Sequence, residues 1–389
     1  MGMEQGSVRA TYKYKLRPTP AQEQALELVV WRCRTLYNAA LEQRKTWWGR
    51  GQGVSATYHQ QATELPDLKI AHPEYAEVHS QVLQEVLRRL DKTFQAFFQR
   101  VKNGEKQPGS PRFQGRDRYH SFTYPQYGNG AVLDGGLLSL SKIGRIPLRL
   151  HRPLEGTPKT VTISREADGW YAGFSCEGVP VRPLPLTGQE TGIDVGLVHF
   201  LTRADGAHVP NPRHLRKAEQ ALKRAQRRVS RRKKGSNRRK KAVKLLAKQH
   251  LKVRRQRRHF HHTEALKLLR AYDTIYLEDV RVANLVCNRR LSKSISDAGW
   301  GAFRTILAGK AVYAGRQVIA VPPAYTSQDC SGCGERVRKS LSVRTHICPS
   351  CGLVIDRDAN AARNILRAGQ ARRGLAGPPT GMKREAPPL

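Results

Sequence analysis

Thr191-Gly192-Ile193-Asp194-Val195-Gly196 sets one acid inside an apolar, β-branched run bounded by glycines, the composition of a buried strand. Downstream, Asp205-Gly206 supplies a hairpin turn and His262–Ala271 reads as a helix. Thr274-Ile275-Tyr276-Leu277 then forms a second apolar strand that closes on Glu278. Strands alternating with helices predict an α/β sheet from residue 190 onward.

Upstream the pattern differs. Residues 8–17 alternate strictly, with Val8, Ala10, Tyr12, Tyr14 and Leu16 on one face and cationic or polar residues on the other, as in a half-buried strand. Thr19-Pro20-Ala21-Gln22 has the form of a helix start. A second amphipathic helix runs from Ser80, with Val82, Val86, Leu90, Phe94, Phe97 and Val101 on its apolar stripe, and ends by Gly104. Thr160–Cys176 reads as a hairpin across Asp168-Gly169. These strands predict a β-barrel interrupted by a helical block. Val179–Leu186, with three prolines, reads as a linker.

The 389 residues hold 69 Lys+Arg against 31 Asp+Glu, a formal charge of +38. An excess on that scale calls for a polyanion and excludes an ordinary neutral enzyme; nucleic acid is the usual partner. Between Arg213 and Arg258 stand 22 Lys/Arg and one acid, Glu219, so this stretch supplies +21 of the total. Leu215, Leu222, Ala225, Val229, Val243, Leu246 and Val253 punctuate it at helical spacing, predicting two basic helices broken near Gly235-Ser236-Asn237. A solvated face of mixed charge would carry acidic partners one turn away all along it, and Glu219 is the single acid here. Arg227, Arg228, Arg231, Arg232, Lys233, Lys234, Arg238 and Arg239, around the break, are the candidate nucleic-acid contacts. The charge exceeds what one short duplex site neutralises, about 6–10 phosphates, which suggests RNA together with DNA. No apolar run approaches the roughly 18 residues of a membrane span. Met1–Ser7 lacks a signal-peptide core, so the expected location is the cytoplasm, with the nucleoid.

Four of the seven cysteines form two knuckles, Cys330-Ser331-Gly332-Cys333 and Cys348-Pro349-Ser350-Cys351, fourteen residues apart and each followed by glycine. Two such turns close a tetrahedral, structural Zn²⁺ site. With four thiolates available, His346, His259, His261 and His262 are not needed as ligands. Cys33 and Cys176 sit in apolar stripes as core residues; Cys287 lies beside basic residues.

Three acids stand where a phosphodiester-cleaving site would want them: Asp194, Glu278 and Asp358, the last ahead of Ala359-Asn360-Ala361-Ala362-Arg363-Asn364-Ile365. Three carboxylates from neighbouring elements hold two Mg²⁺ ions against a scissile phosphate. Each also has a plain reading: a surface strand acid, a rim charge, a helix N-cap. In this setting the glycines flanking Asp194 would leave room for a substrate backbone.

Taken in order, Gly-Ile-Asp194-Val-Gly, Leu-Glu278-Asp, the paired CxxC knuckles and Asp356-Arg-Asp358-Ala-Asn-Ala-Ala-Arg-Asn-Ile resemble the RuvC-type nuclease of TnpB proteins. These are transposon-encoded and ancestral to the type V CRISPR effectors. Leu16-Arg17-Pro18-Thr19, Ser110-Pro111-Arg112-Phe113, Ser230-Arg231-Arg232-Lys233-Lys234-Gly235-Ser236 and Ser294-Ile295-Ser296-Asp297-Ala298-Gly299-Trp300 extend the resemblance over nearly the whole chain.

The resemblance implies an α+β multidomain chain. A wedge barrel is interrupted by a helical recognition lobe and followed by an RNase H-like (RuvC) nuclease with an inserted zinc ribbon. The implied boundaries are 1–17 (first barrel strand), 18–108 (recognition lobe), 109–180 (rest of the barrel), 181–189 (linker) and 190–324 (nuclease). The ribbon at 325–355, the final nuclease helix at 356–370 and a disordered tail at 371–389 complete them.

It implies that Asp194, Glu278 and Asp358 are catalytic and bind Mg²⁺, with Asp356 the runner-up to Asp358. The partners are a transposon-derived guide RNA and double-stranded target DNA; no obligate protein partner and no membrane is implied. Reading of a motif beside the target falls to the N-terminal region, with Tyr12, Tyr14, Arg34, Tyr37, Asn38 and Tyr75 as candidates. The competing reading is a non-cleaving, guide-directed repressor or transposition accessory factor. A strand-joining transposase lacks a recognisable nucleophile in this sequence.

Overall fold

The structure, a computed structural model, describes residues 6–49, 56–340 and 342–375, in two units: Arg9–Val179, and the chain from Pro180 onward together with its first residues.

In the first unit the alternating stretch forms β1 (Ser7–Lys15), burying Tyr12 and Tyr14. Thr19 then opens α1 (Pro20–Gly49). Its Oγ1 accepts from the Gln22 amide at 3.3 Å while Gln22 Oε1 accepts from the Thr19 amide at 3.0 Å, a reciprocal cap. Helices α2 (Tyr58–Thr63) and α3 (Leu65–Ala71) lead to α4 (Ser80–Lys102). The stripe of α4 is buried as far as Leu90 and then surfaces: Phe94 and Phe97 are half-buried and Val101 is exposed.

Six strands follow: β2 (Ser121–Tyr124), β3 (Ala131–Asp134), β4 (Leu137–Leu140), β5 (Gly144–Pro147), β6 (Thr157–Glu166) and β7 (Gly169–Pro180). The expected barrel is not closed. The strands make a four-stranded sheet, β1-β7-β6-β2, and a separate three-stranded sheet, β3-β4-β5, which meet at an isolated bridge between Leu16 and Leu148. The open edge of β2 is taken by α4, where Arg89 donates to the Ser121 carbonyl at 2.8 Å and to Thr123 Oγ1 at 2.6 Å. A carbonyl held by a side chain is not free to pair with a closing strand.

The second unit is built on β8 (Glu190–Val195), β9 (His199–Arg203) and β10 (His208–Pro210). Then come α5 (His214–Ser230), α6 (Asn237–Ala271), β11 (Thr274–Glu278), α7 (Val282–Leu285), α8 (Ser292–Ala298), α9 (Trp300–Tyr313) and β12 (Gln317–Val321). The cysteine segment contributes β13 (Thr345–Ile347) and β14 (Val354–Asp356), and α10 (Arg357–Leu375) ends the described chain. The sheet order is β10-β9-β8-β11-β12, with β8, β11 and β12 parallel and β9 antiparallel to β8.

Ile193, Ile275 and Leu277 point to one face of this sheet and pack with Leu268 and Leu269 of α6 and Phe303 and Leu307 of α9. The other face carries Tyr276 and Val321 against Ile365 of α10. Sheet residues two apart share a face, so Asp194 lies on the side of Gly192, and Glu278 on the side of Tyr276.

The sequence reading needs correcting at three places here. The two basic helices form on either side of the expected break, but the second of them and the helix expected at 262–271 are one 35-residue helix, α6, because no Gly or Pro interrupts residues 237–271. The stretch expected as a linker is bonded down: the Arg182 and Leu184 amides donate to the Tyr313 and Ala314 carbonyls at 3.0 Å, and the Asp273 carboxylate accepts from the Thr187 and Gly188 amides. The final helix passes 370 and continues to Leu375, so the expected tail is helical at its start; 376–389 lie outside the described residues.

Candidate active site

Strands β8 and β11 run parallel in the register Ile193 to Leu277, so Asp194 and Glu278 stand side by side, one residue beyond that pair, at the carboxyl ends of neighbouring strands. Ligands of open α/β sheets collect at that edge. The third acid comes from α10, whose backbone lies directly on β8. A Cβ on Gly192 would run into the Ala362 carbonyl and stand 2.6 Å from the Leu366 nitrogen. Gly192 therefore makes room for the helix, not for a substrate as expected from sequence. At Gly196, a Cβ would stand 3.8 Å from Asp358 Oδ2, which puts that carboxylate beside the β8 terminus.

The electrostatics agree with this geometry. Burial pushes the Asp194 carboxyl well above its ordinary range, and the charges of Glu278 and Asp358 push it the same way; Arg357 opposes them. Burial also raises Glu278, against a hydrogen bond from Thr326. Asp194 thus sits buried under the repulsion of two neighbouring carboxylates, a donor set that a divalent cation would relieve. Among the described residues, the four knuckle cysteines are the one set of three or more donors found within 4.8 Å of each other.

Asp356, the alternative to Asp358, is spent on structure. Its Oδ1 accepts from the Asp358 and Ala359 amides at 2.9 and 3.0 Å, capping α10. Asp358 is not the cap. It faces Arg344 at 3.7 Å from the cysteine segment.

The cysteines fit a tetrahedral metal. Cys330 and Cys351 sulfurs are 3.6 Å apart and Cys333 and Cys348 sulfurs 3.5 Å, close to the roughly 3.8 Å edge of a tetrahedron with 2.3 Å Zn–S bonds. Gly334 and Gly352 adopt φ of +84° and +73°, turning each backbone under its sulfurs. His346 lies outside the set, fully buried and bonded to Lys339.

In the basic hairpin, α5 buries Leu222, Ala225 and Val229, and α6 buries Ala242, Leu251 and Val253; Val243, expected inside, is 45% exposed. Arg227, Arg228, Arg231, Lys233, Lys234 and Arg238 are exposed. Arg232 and Arg239 are not. Arg239 donates to the Val229 and Arg232 carbonyls at 2.8 and 3.2 Å and so closes the C-terminus of α5.

The candidate motif readers fare worse. Tyr12, Tyr14, Tyr37 and Tyr75 are core residues, and Asn38 is bonded to the Gln114 backbone in both directions, at 3.0 and 2.8 Å. Only Arg34 borders an open groove, beside the half-exposed Trp31.

Sequence reading also missed Asp297. It is buried and accepts from the Leu215 amide at 2.9 Å and from Arg257 at 3.4 Å, pinning the start of α5 to α6. Its signal was a lone acid in an apolar, glycine-ended segment.

A family described as "Probable transposase" matches residues 173–289, a "Cas12f1-like, TNB domain" matches 300–365, and a "Helix-turn-helix domain" matches 3–53. The described part of that last span is one strand and one unbroken helix. A Streptomyces pristinaespiralis protein named "Putative RNA-guided DNA endonuclease" is 37% identical over 94% of this chain and 90% of its own length. InsQ of Escherichia coli K12, with the same designation, is 31% identical over 92% of each. TnpB-like protein L79 of Acanthamoeba polyphaga mimivirus is 26% identical over 56% of this chain and 45% of its own length.

Among solved structures, Cas12f1 in complex with sgRNA and target DNA superposes with a TM-score of 0.53 at 13% identity, covering 92% of this chain and 98% of that one. The mini-RNA-guided endonuclease CRISPR-Cas phi3 gives 0.52 at 12%, covering 96% and 94%. At such identities these two speak to the fold alone. The full-length matches are to a class of transposon-related proteins, and the chain belongs to its TnpB family.

Proposed function

We propose that this chain is a transposon-encoded, RNA-guided DNA endonuclease that cuts phosphodiester bonds at a RuvC-type site formed by Asp194, Glu278 and Asp358. The observation that carries it is the meeting of these three acids, from positions 194, 278 and 358, at one sheet edge where each of the other two raises Asp194. When bound there, two Mg²⁺ ions would supply an activated water and a counter-charge for the leaving oxygen. The chain's own part is to hold three carboxylates together and oriented. Strand ends fix Asp194 and Glu278, and a capped helix start fixes Asp358.

The cysteine site would take one structural Zn²⁺, joining the Cys330–Cys333 knuckle to the turn between β13 and β14. The partners are a transposon-derived guide RNA and double-stranded target DNA cut beside a short adjacent motif. Arg227, Arg228, Arg231, Lys233, Lys234 and Arg238 offer exposed charge for their backbones, and pairing with the guide supplies the sequence choice. The chain works in the cytoplasm at the nucleoid; among the described residues no helix is long and apolar enough to cross a membrane.

The decisive experiment is Asp194→Ala in the guide-loaded protein. Cleavage of a matched plasmid should stop while guide and target binding persist. Undiminished cutting by this variant would remove the active-site assignment.

A further inference from the structure

The loop between β12 and the first cysteine knuckle is held at every turn, and its anchors lead to Glu278. Tyr325 has φ +61°, a left-handed conformation unusual for a bulky side chain and costly unless its surroundings enforce it. The Arg336 guanidinium covers its ring at 3.6 Å and also bonds Asp329 at 2.8 Å, while the Gln328 and Asp329 amides donate to the Tyr325 carbonyl at 2.8 and 2.9 Å. This corner aims the next residue, Thr326, inward. Its hydroxyl donates to Glu278 Oε1, and its carbonyl accepts from Asn364 Nδ2 at 2.8 Å.

The same face of α10 grips the knuckle. Asn364 and Asn360 donate to the Asp329 carbonyl at 2.6 and 2.8 Å, Asn360 Oδ1 accepts from the Ser331 amide at 2.9 Å, and Arg367 donates to the Ser331 carbonyl at 2.6 Å. Asn360 is completely buried, so these bonds are not a loose surface network. They run without a gap from the residues flanking Cys330 to the carboxylate of Glu278.

We propose that Thr326 is a positioning residue for Glu278, and that the first cysteine knuckle, through Asn360 and Asn364, is the anchor that holds Thr326 in place. The inference rests on the nuclease reading of the three acids. One Glu278 oxygen is occupied by the hydroxyl, which fixes the carboxylate's rotation and leaves the other oxygen for a metal. The cysteine segment thereby sets the geometry of an acid that it does not touch through any ligand of its own.

The test compares Thr326→Val, which keeps the shape and deletes the donor, with Thr326→Ser, which keeps the donor, both as guide complexes. Losing a partner that orients a metal ligand costs about 10–100-fold in metal affinity. Val should therefore raise the Mg²⁺ concentration for half-maximal cleavage about ten-fold or more, and weaken Mn²⁺ binding measured by electron paramagnetic resonance to match. Target binding should be unchanged, and Ser should behave as wild type. The Mn²⁺ signal is taken as the difference from Asp194→Ala to remove ions held by RNA.

Val with wild-type Mn²⁺ binding would overturn the proposal, as would Val and Ser failing alike or a loss of target binding equal to the loss of cleavage. An Asp194→Ala complex that still cleaved would end the nuclease reading, whereas an inactive Asp194→Ala complex beside a Val variant with unchanged Mn²⁺ binding would end the assignment of Thr326 alone.

Discussion

Gly192→Ala tests the geometry of the site from a residue that carries no chemistry. The added methyl would meet the Ala362 carbonyl and lie 2.6 Å from the Leu366 nitrogen and 3.1 Å from its Cα. All are helix backbone atoms, so no side chain can swing aside, and α10 must withdraw from β8. Restoring an ordinary contact of about 3.4 Å needs a shift approaching 1 Å at Leu366 and more than 1 Å at the Ala362 carbonyl. Overpacking of this kind costs about 1–3 kcal/mol, and a 1 Å misplacement of a reacting group costs on the order of a hundred-fold in rate. Asp358 rides on the displaced helix and Asp194 on the strand, so the substitution separates the two acids directly. The expected outcome is a folded, guide-loaded protein with a modestly lower melting temperature, normal target binding, and cleavage reduced about a hundred-fold in single-turnover assays. Wild-type cleavage by a variant shown to be folded would refute the close docking of α10 on β8, and with it the placement of Asp358.

Three further outcomes are expected. A carboxyl raised on folding binds its proton more tightly in the folded state, so its contribution to stability falls as pH rises through the window above its ordinary range. In metal-free buffer near neutral pH, Asp194→Asn should melt higher than wild type by roughly a few degrees, a gain that shrinks on acidification; an equal or lower melting temperature would contradict the repulsion. Cys348→Ser should lower protein-bound Zn²⁺ measured by atomic absorption and expose the β13–β14 segment to proteolysis, and retained stoichiometric metal would argue against the four-sulfur site. Replacing Arg231 and Lys234 with Gln should weaken guide binding and lessen its salt dependence by roughly one counter-ion per residue, measured by filter binding from low to moderate salt. An unchanged slope would take these residues off the phosphate path.

The parts of the molecule that were legible in the sequence are those with local causes. A capping box at Thr19 and Gln22, paired CxxC turns with trailing glycines, and apolar strands ending on single acids each declare themselves within a few residues. What stayed hidden depended on contacts between distant segments. Tyr12, Tyr14, Tyr37 and Tyr75 have amphipathic side chains that suit either a base-reading surface or a core, and only tertiary packing buried them. The choice between Asp356 and Asp358 turned on which carboxylate the backbone amides of α10 captured. Arg239 looked like one more phosphate ligand among eight until its guanidinium proved to close a neighbouring helix. Thr326 gave no signal at all, because a hydroxyl that serves another segment has no spacing to read, and the lone acid Asp297 did not announce which helices it would join.

Helix α6 spans Asn237–Ala271 without a glycine or proline, a rod of about 50 Å at 1.5 Å per residue. One end carries the arginines and lysines of the basic turn, and the other packs Ala265, Leu268 and Leu269 beneath the sheet that holds Asp194 and Glu278. With no joint between them, the rod behaves as a beam clamped at the sheet. A tilt of roughly 5° at the clamped end would sweep the charged tip through about 4 Å, more than the roughly 3.4 Å rise between successive phosphates of one strand. Cargo pulling on the tip would load the floor of the cutting site.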